Sequence, residues 1–386
     1  MTRLATHSPD RVPRVALLRS SAGLYGADRM VLTLNQALPQ AGVASRLLSI
    51  GNPRMPVQAL HEAAVAGGQQ AELLACRGRL DLRTLHLLRA ALRRQGATIV
   101  HVHDYKSATY AWLASLRLPV RLVATLHGHV DATRALRIYN RLELGLLRRF
   151  DALAVVSERQ VDLLAGAGIA RERIQLVDNG IPLRAEDLEA PPMSREALGL
   201  DAASFVFAAV ARFSPEKNLL LLLDAFARVA DGREDCQLLL VGDGPMGDAM
   251  RERCTALGIA RHVRFAGVRD DMPSVYPRID CLVLPSLSEG MPLTVLEAMS
   301  HGLPVIASAV GDVPRLLSGT DHGRLVPPGE LGALVDSMRS RLQAGRAFDA
   351  RARARVLSRH SPGAMANRYR AMYESLGGWA HGVQAA

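Results

Sequence analysis

The chain has 386 residues, enough for two medium-sized domains, and a hydrophobic content of 49% supports large packed cores. Aromatic residues make up only 4%, which argues against a stacking surface for single-stranded nucleic acid. The net charge is +10, and all of the excess lies in residues 1–195, with 26 Lys and Arg against 16 Asp and Glu; residues 196–386 carry 21 of each. The first half therefore either faces an anionic partner, such as a membrane leaflet or nucleic acid, or reflects an arginine-rich genome.

The composition also predicts the compartment. No uncharged apolar run approaches the roughly 20 residues that span a bilayer, and the N-terminal segment lacks the hydrophobic region of a secretory signal. The four cysteines have no C-x-x-C spacing, which is typical of reduced structural thiols. We therefore expect a cytoplasmic protein.

Apolar runs that alternate with helical patterns predict parallel sheets in both halves of the chain. A Pro- and acid-rich stretch at residues 181–200 separates the halves and is typical of a linker. A last helix is predicted at residues 362–376. The fold class is therefore α/β, with two doubly wound, Rossmann-like domains. The predicted strands are residues 15–18, 99–103, 122–126 and 153–156 before the linker, and 205–210, 237–241, 263–265, 281–284 and 305–307 after it.

Two basic, apolar segments of the first half could touch a membrane. In the predicted helix 79–94, Arg79, Arg83, His86 and Arg93 share one face, and Leu82, Leu85 and Leu92 share another. The segment 134–150 is similarly basic and apolar. Both segments are equally compatible with ordinary amphipathic helices that pack on a sheet.

A strand's alternation places His101 and His103 on one face, where they could chelate a metal. No third ligand has a suitable spacing, and the chain has no D-x-D motif to hold a metal-bridged diphosphate. We expect no metal and no cofactor, and we expect this strand end to offer His103 or Asp104 to an acceptor.

Arg212 and Lys217 follow the first strand of the second half and precede a helix. Two cations beside the positive end of a helix dipole are well placed to hold a diphosphate. The turn that contains Gly242 and Gly244 follows the next strand, but a G-x-G turn alone is weak evidence.

The segment 281–307 predicts a strand, a loop, a helix and a second strand, with Glu289 in the loop and Glu297 in the helix. Ligands of open parallel sheets bind beyond the carboxyl ends of the strands. There, N–H groups at the helix N-terminus would lie beside two carboxylates. This mixture of donors and acceptors suits a polyhydroxylated ligand such as a sugar nucleotide.

The pattern PSLSEGMPLTVLEAMSHGLPVIAS resembles the E-x7-E signature of the retaining, family-4 glycosyltransferases of the GT-B fold. Residues 211–218 resemble the family's G-R-x-x-x-E-K-G motif, with Ala211 and Asn218 at its glycine positions. The resemblance implies two domains that face each other across a cleft: an acceptor-side domain at 1–190 and a nucleotide-sugar donor domain at 191–361. Residues 362–386 would form a crossover helix, which returns to the first domain, and a tail.

Two loops of the first half resemble further family motifs. Residues 20–29 resemble the G-G-A-E-R loop, with Tyr25 and Asp28 where a glycine and a glutamate are usual. Because tyrosine disfavours positive φ, we expect the backbone of this loop to differ and the ring to narrow the acceptor side. His127 resembles the histidine of the T-x-H-G motif, which reaches the donor sugar or the reaction centre.

The resemblance assigns roles residue by residue. It implies catalytic roles for His127, Arg212, Lys217 and Glu289. It implies an acceptor side formed by Tyr25, His103 and Asp104. The implied donor-binding residues are Gly26, Arg212, Lys217, Gly242, Gly244, Val268, Glu289, Gly290, Met291, Pro292, Leu293 and Glu297.

The implied enzyme is a hexosyltransferase that moves a sugar, with retention, from a UDP- or GDP-sugar to a hydroxyl of a glycan or lipid-linked glycan. Synthesis of cell-surface polysaccharide, exopolysaccharide or lipopolysaccharide is the expected setting. The expected location is the cytoplasm, including the inner face of the plasma membrane, and no nucleic-acid partner is expected. Two alternatives are a GT-B sugar-nucleotide epimerase, which transfers nothing, and a non-catalytic basic binding protein.

Overall fold

The computed structural model describes residues 12–377, except 22, 53, 56, 79, 128–143, 182–190 and 192. The chain folds into two compact units. The first unit comprises residues 1–180 together with 362–386, and the second comprises residues 181–361. Within the described helices, none combines the length and the apolar character needed to cross a bilayer.

The described strands of the first unit form one parallel sheet in the order β3-β2-β1-β4-β5-β6-β7. Alternation along β1 sends Ala16 and Leu18 into the core on one face, and Val15 and Leu17 into the core on the other. The strands are β1 (Arg14–Ser20), β2 (Ala44–Gly51), β3 (Ala71–Ala75), β4 (Ile99–Val102), β5 (Arg121–Leu126), β6 (Ala152–Val155) and β7 (Ile174–Leu176).

Helices cover both faces of this sheet, which explains why its strands are apolar on both sides. The helix at the end of the chain returns to the first unit, as predicted: its Met365, Tyr369 and Tyr373 pack in the core beside the first helix. The helices are α1 (Gly26–Ala37), α2 (Ala59–Ala66), α3 (Leu82–Gln95), α4 (Tyr105–Ser115), α5 (Glu158–Gly166) and α13 (Pro362–Ser375).

The second unit repeats the architecture with a parallel sheet in the order β10-β9-β8-β11-β12-β13. The strands are β8 (Phe205–Val210), β9 (Cys236–Val241), β10 (Val263–Gly267), β11 (Cys281–Leu284), β12 (Val305–Ser308) and β13 (Gly323–Val326). The helices are α6 (Leu219–Val229), α7 (Gly247–Ala256), α8 (Met272–Val275), α9 (Leu293–Ser300), α10 (Val313–Leu317), α11 (Leu331–Ala344) and α12 (Ala350–Arg359).

Both strand orders contain the 3-2-1-4-5-6 sequence of a doubly wound Rossmann fold, so the predicted fold class is confirmed. The order reverses between β1 and β4 in the first unit and between β8 and β11 in the second. Loops diverge at such a switch point and leave room for a ligand beyond the carboxyl ends of the strands. The residues that come directly after these four strands are therefore the first candidates for a site.

The structure corrects the predicted apolar face of one basic helix and describes only part of the other basic segment. Leu82 of α3 does not share the buried face of Leu85 and Leu92; its side chain is 77% exposed. Arg79 lies outside the described residues, as do residues 134–143 of the second basic segment. The remainder of that segment, residues 144–150, packs Leu146, Leu147 and Phe150 into the core. Its apolar residues are therefore used within the fold.

Candidate active site

A lysine and a glutamate meet at the switch point of the second unit. Lys217 ends the short 3₁₀ turn Pro215–Lys217 after β8, and Glu289 lies in the loop after β11. Lys217 Nζ donates to Glu289 Oε1 at 2.7 Å, and Ser286 Oγ donates to the same oxygen at 2.6 Å. The Glu289 side chain is only 8% exposed and that of Lys217 is 22% exposed. The fold thus brings together two residues that are 72 positions apart and that the sequence assigned to the same site.

Arg212 lies on the same loop as Lys217 and contacts Glu216 across 3.2 Å. Glu216 also accepts a hydrogen bond from Ser214 Oγ at 2.6 Å. Burial opposes ionisation of Glu216, but the hydrogen bonds from Ser214 and Arg212 outweigh it and lower the carboxyl pKa. The Arg212 side chain is half exposed, so its guanidinium is accessible to a ligand. The backbone N–H of Leu287 donates to the carbonyl of Glu216, which ties this loop to that of Glu289.

Asn218 explains one departure from the family motif. It is the one non-glycine residue with positive φ in the described chain, at 51°. Asparagine adopts this left-handed conformation more readily than most residues, so it can stand where the motif has a glycine. The substitution therefore preserves the backbone turn that starts α6.

Gly242 and Gly244 are required by the protein's own backbone. A Cβ on Gly242 would lie 1.9 Å from the carbonyl oxygen of Ala211, and a Cβ on Gly244 would lie 2.5 Å from that of Phe213. The Phe213 N–H donates to the Asp243 carbonyl at 2.9 Å, which locks the two loops together. These glycines therefore allow the close backbone packing that holds the Arg212 loop in place. A direct contact between them and the nucleotide-sugar donor stays a prediction.

Glu297 lies in the middle of α9, where Tyr276 donates its hydroxyl hydrogen to Glu297 Oε2 at 2.6 Å. The Tyr276 ring stacks on His301, with the ring centroids 5.1 Å apart. Glu297 is partly buried, so its carboxylate is oriented by a fixed neighbour and still meets solvent. Such a carboxylate can accept hydrogen bonds from a pair of hydroxyls.

The predicted donor segment Gly290 to Leu293 begins α9, with Pro292 as its N-cap. The first N–H groups of a helix have no partner within the helix and can face a ligand. The neighbouring loop holds this segment closely: a Cβ on Gly311 would lie 2.2 Å from the Glu289 carbonyl oxygen, and the Asp312 N–H donates to the Gly290 carbonyl at 2.9 Å. The sequence did not indicate Gly311 or Asp312, because neither belongs to a recognised motif.

Val268 follows β10 and is 71% exposed. An exposed valine beside the glycine turn after β9 offers an apolar surface for a flat ring. Its predicted contact with the base of the donor stays a prediction.

In the first unit, the loop after β1 is organised by a buried aspartate. Asp28 is fully buried and accepts from Arg19 Nε at 2.8 Å, from Ser21 Oγ at 2.9 Å and from the Tyr25 N–H at 2.9 Å. Tyr25 has φ −102°, an ordinary extended conformation, and it caps the helix that Gly26 begins. Tyr25 therefore avoids the left-handed conformation, as expected for a tyrosine at this position. The Tyr25 ring is half exposed, and sequence reasoning missed the roles of Arg19 and Asp28.

Asp104 caps a helix and links the ends of two strands. It is the N-cap of α4, where Oδ1 accepts from the Ser107 N–H at 2.9 Å. Its Oδ2 accepts from the Ser107 hydroxyl at 2.6 Å and from the Ser20 N–H at 2.8 Å. Asp104 therefore joins the ends of β1 and β4, and its contact with an acceptor stays a prediction.

Three histidines lie in a row at the ends of β4 and β5. The ring centroids of His101 and His103 are 4.3 Å apart, and those of His103 and His127 are 5.4 Å apart. His103 Nδ1 lies 3.2 Å from His127 Nε2. Burial lowers the pKa of all three imidazoles, to about 3 for His101, and the Arg19 charge lowers those of His103 and His127 further. All three rings are therefore neutral at pH 7.

His101 is used to anchor the C-terminal helix. Its Nδ1 is 2.8 Å from the Tyr373 hydroxyl, and its Nε2 is 2.7 Å from Thr125 Oγ1, which also contacts Tyr369 at 2.9 Å. Both ring nitrogens are thus occupied, which leaves none for chelation. Within the described residues, His, Cys, Asp and Glu side chains form no group of three or more that could hold a metal ion.

Comparison with known proteins identifies the family. The family model described as Glycosyl transferases group 1 matches residues 204–344, and the one described as Glycosyltransferase Family 4 matches residues 25–185. The chain belongs to the family-4 glycosyltransferases. This membership assigns it to the transferases, in preference to the epimerase and the non-catalytic binding protein.

Curated relatives of this glycosyltransferase act on different acceptors. The chain is 28% identical over 269 residues to the UDP-Gal:alpha-D-GlcNAc-diphosphoundecaprenol alpha-1,3-galactosyltransferase of Escherichia coli, over 67% of this chain and 70% of that protein. It is 29% identical over 343 residues to the 2-deoxystreptamine glucosyltransferase of Streptomyces kanamyceticus, and the match covers 80% of this chain and 87% of that protein. Among solved structures, Anabaena HepE in complex with UDP has a TM-score of 0.79 at 20% identity, over 94% of this chain and 99% of that chain, which supports the GT-B fold.

Proposed function

We propose that this glycosyltransferase moves a hexosyl group, with retention of anomeric configuration, from a UDP-sugar to a hydroxyl of a glycan or lipid-linked glycan. The main support for this proposal is the Lys217–Glu289 pair at the switch point of the second unit, beside an accessible Arg212. UDP is preferred over GDP because the galactosyltransferase relative uses UDP-Gal and the HepE structure contains UDP.

Lys217 and Arg212 would hold the diphosphate. As the bond between the anomeric carbon and the phosphate oxygen breaks, negative charge grows on the leaving diphosphate, and preorganised cations stabilise it. The N-terminal N–H groups of α9 would add donors to this charge. No step in this scheme uses a metal ion.

Glu289 would orient the sugar and not attack it. One of its oxygens already accepts from both Lys217 and Ser286, which lowers its electron density for nucleophilic attack. Retention is then achieved by attack of the acceptor hydroxyl on the face that the diphosphate leaves. The acceptor oxygen bonds to the anomeric carbon, and its proton passes to the departing phosphate oxygen. Glu297 would accept hydrogen bonds from the ribose hydroxyls.

In the first unit, His127 would contact the sugar as a neutral imidazole, and Tyr25 and His103 would lie on the acceptor side. The exposed face of α3 suits an anionic membrane surface at the cytoplasmic side of the plasma membrane. Leu82, Arg83, His86 and Arg93 are exposed on this helix, and Leu80 is exposed just before it. Exposed leucines among cations favour the interface of an anionic bilayer. This placement would give access to lipid-linked acceptors of cell-surface polysaccharide synthesis.

A screen of UDP- and GDP-sugars tests the proposal by following donor hydrolysis first and transfer to glycan acceptors second. We expect one UDP-hexose to be consumed fastest, and NMR of the product should show the donor's anomeric configuration. Consumption of GDP-sugars alone would contradict the choice of base, and an inverted product would contradict retention. The Lys217→Ala variant serves as the inactive control.

A further inference from the structure

In the row of histidines of the first unit, one buried ring nitrogen has no partner among the described residues. His103 is 3% exposed, and among the described residues nothing hydrogen-bonds its Nε2. Its other nitrogen, Nδ1, faces His127 Nε2 at 3.2 Å. Each neutral imidazole carries one N–H and one bare nitrogen, so two arrangements of protons allow this contact.

In the first arrangement, the His103 Nδ1–H donates to His127 Nε2, and the buried His103 Nε2 is a bare acceptor. In the second, the His127 Nε2–H donates to His103 Nδ1, and the buried His103 Nε2 carries an orphaned N–H. Buried N–H groups without a partner are rarer in proteins than under-used acceptors. The burial of His103 therefore selects the first arrangement.

We propose that His103 is a positioning residue: its Nδ1–H donates to His127 Nε2 and fixes His127 as the Nδ1–H tautomer. His127 then presents a hydrogen-bond donor to a substrate oxygen and does not act as a proton acceptor through Nε2. Among the described residues, none hydrogen-bonds His127 Nδ1, and the ring is only partly buried, so this donor is available. The inference rests on the proposed role of His127 in substrate contact.

The surroundings of His127 keep it in this neutral form. Among the residues that the structure describes, the titratable and charged groups that face it are His103, His101 and Arg19, and Arg19 is itself fixed by Asp28 and by the His103 carbonyl. A second positive charge beside Arg19 would be repelled, and burial adds to that penalty. His101 lies at the end of the row opposite His127, and its contact with the Tyr373 hydroxyl fixes its position.

Nitrogen NMR of the full chain labelled with ¹⁵N-histidine tests the tautomer directly, because protonated and bare ring nitrogens resonate in separate regions. The His127 signals are assigned by their loss in His127→Gln. We expect His127 to show a protonated Nδ1 and a bare Nε2, unchanged from about pH 6 to 8. A protonated Nε2 with a bare Nδ1, or a doubly protonated ring, would overturn the proposal.

Two substitutions at position 103 separate positioning from packing. Asparagine places an amide N–H where His103 has Nδ1–H, whereas leucine has no donor. His103→Asn should keep the tautomer and most of kcat, while His103→Leu should lose about tenfold in kcat, as expected for one lost hydrogen bond, with the donor KM unchanged. Equal activity of the two variants would refute the role.

The matched control is His322→Gln, which changes a partly buried histidine of the second unit and should leave kcat unchanged. If His127→Ala retains full transfer, the proposed contact of His127 with substrate fails. The NMR result for the unmodified chain still decides the tautomer in that case, and also when a position-103 variant does not fold.

Discussion

Replacing Lys217 by alanine removes the cation from a pair that is mostly shielded from water. The Nζ–Oε1 distance is 2.7 Å, and the Glu289 carboxylate would keep only the Ser286 hydroxyl as a described partner. Leaving a buried charge with an unmet hydrogen bond costs about 1–3 kcal/mol. The loss in turnover should be larger, about 10²–10³ in kcat, because the growing charge on the diphosphate loses a preorganised stabiliser.

The pair of Arg253 and Asp224 provides a matched control in the same unit. Its Nε–Oδ1 distance is also 2.7 Å, but the side chains are 44% and 27% exposed. A surface pair of this kind contributes about 0–1 kcal/mol. Arg253→Ala should therefore change neither turnover nor the unfolding midpoint by much. The comparison is thus between two ion pairs of equal length, one shielded and at the switch point and the other accessible and away from it.

Turnover is measured with the best donor of the screen, and unfolding is followed by circular dichroism. Tryptophan fluorescence would not report on the second unit, because the sequence has no tryptophan between residues 181 and 361. Lys217→Arg should recover much of the stability but little of the turnover, since a planar guanidinium does not replace a compact ammonium between a carboxylate and a phosphate. Turnover of Lys217→Ala within about threefold of the parent would refute the phosphate-clamp reasoning.

Four further outcomes are expected. Glu297→Gln should weaken binding of the nucleoside diphosphate by about 1–3 kcal/mol in calorimetry, because an amide accepts ribose hydrogen bonds less strongly; unchanged affinity would make Glu297 structural. Transfer should survive excess EDTA, and inhibition reversed by added Mg²⁺ or Mn²⁺ would contradict the metal-free scheme. The chain should float with anionic vesicles at low salt, and Leu82→Glu should reduce this; equal partitioning onto neutral vesicles would exclude the membrane surface. Stability should fall as the pH drops from about 6.5 toward 3, by up to about 1.4 kcal/mol per pH unit from His101, because there the unfolded chain binds this proton and the folded chain does not. His101→Gln should flatten that slope in urea unfolding.

The sequence predicted the strands that are continuous apolar runs and missed β2, β3, β7 and β13, whose local patterns are interrupted, accessible or short. The run at 281–284 is continuous and apolar, and it is β11 to the residue. By contrast, β13 (Gly323–Val326) has a mostly accessible pattern, and β7 (Ile174–Leu176) has only three residues. β2 was missed because Arg46 and Ser49 interrupt its apolar residues. Pairing with neighbouring strands makes these segments strands, and this tertiary context is not visible in a local pattern.

The motifs proposed the residues of the candidate site but not the contacts between them. Lys217 and Glu289 were each predicted to act on the donor, and the structure shows that they form an ion pair at a switch point. The pairing of Arg19 with Asp28 could not be predicted, since it depends on the path of an irregular loop. Gly242 was expected to bind the donor, and the structure shows that its missing Cβ leaves room for the Ala211 carbonyl. A sequence shows that glycine is needed, and only the fold shows which atom needs the space.

Lys217 is one of two lysines in the chain; the other 45 basic residues of its 47 Lys and Arg are arginines. Because nearly all basic residues are arginines, a lysine marks a position where the planar guanidinium of arginine does not replace a compact ammonium group. It also makes the ammonium group nearly unique as a chemical handle. Reductive methylation with ¹³C-labelled formaldehyde would place NMR-visible methyl groups on Lys106 and Lys217 alone among the side chains. The methyl resonance of Lys217, whose nitrogen contacts Glu289, would then report the binding of a phosphate.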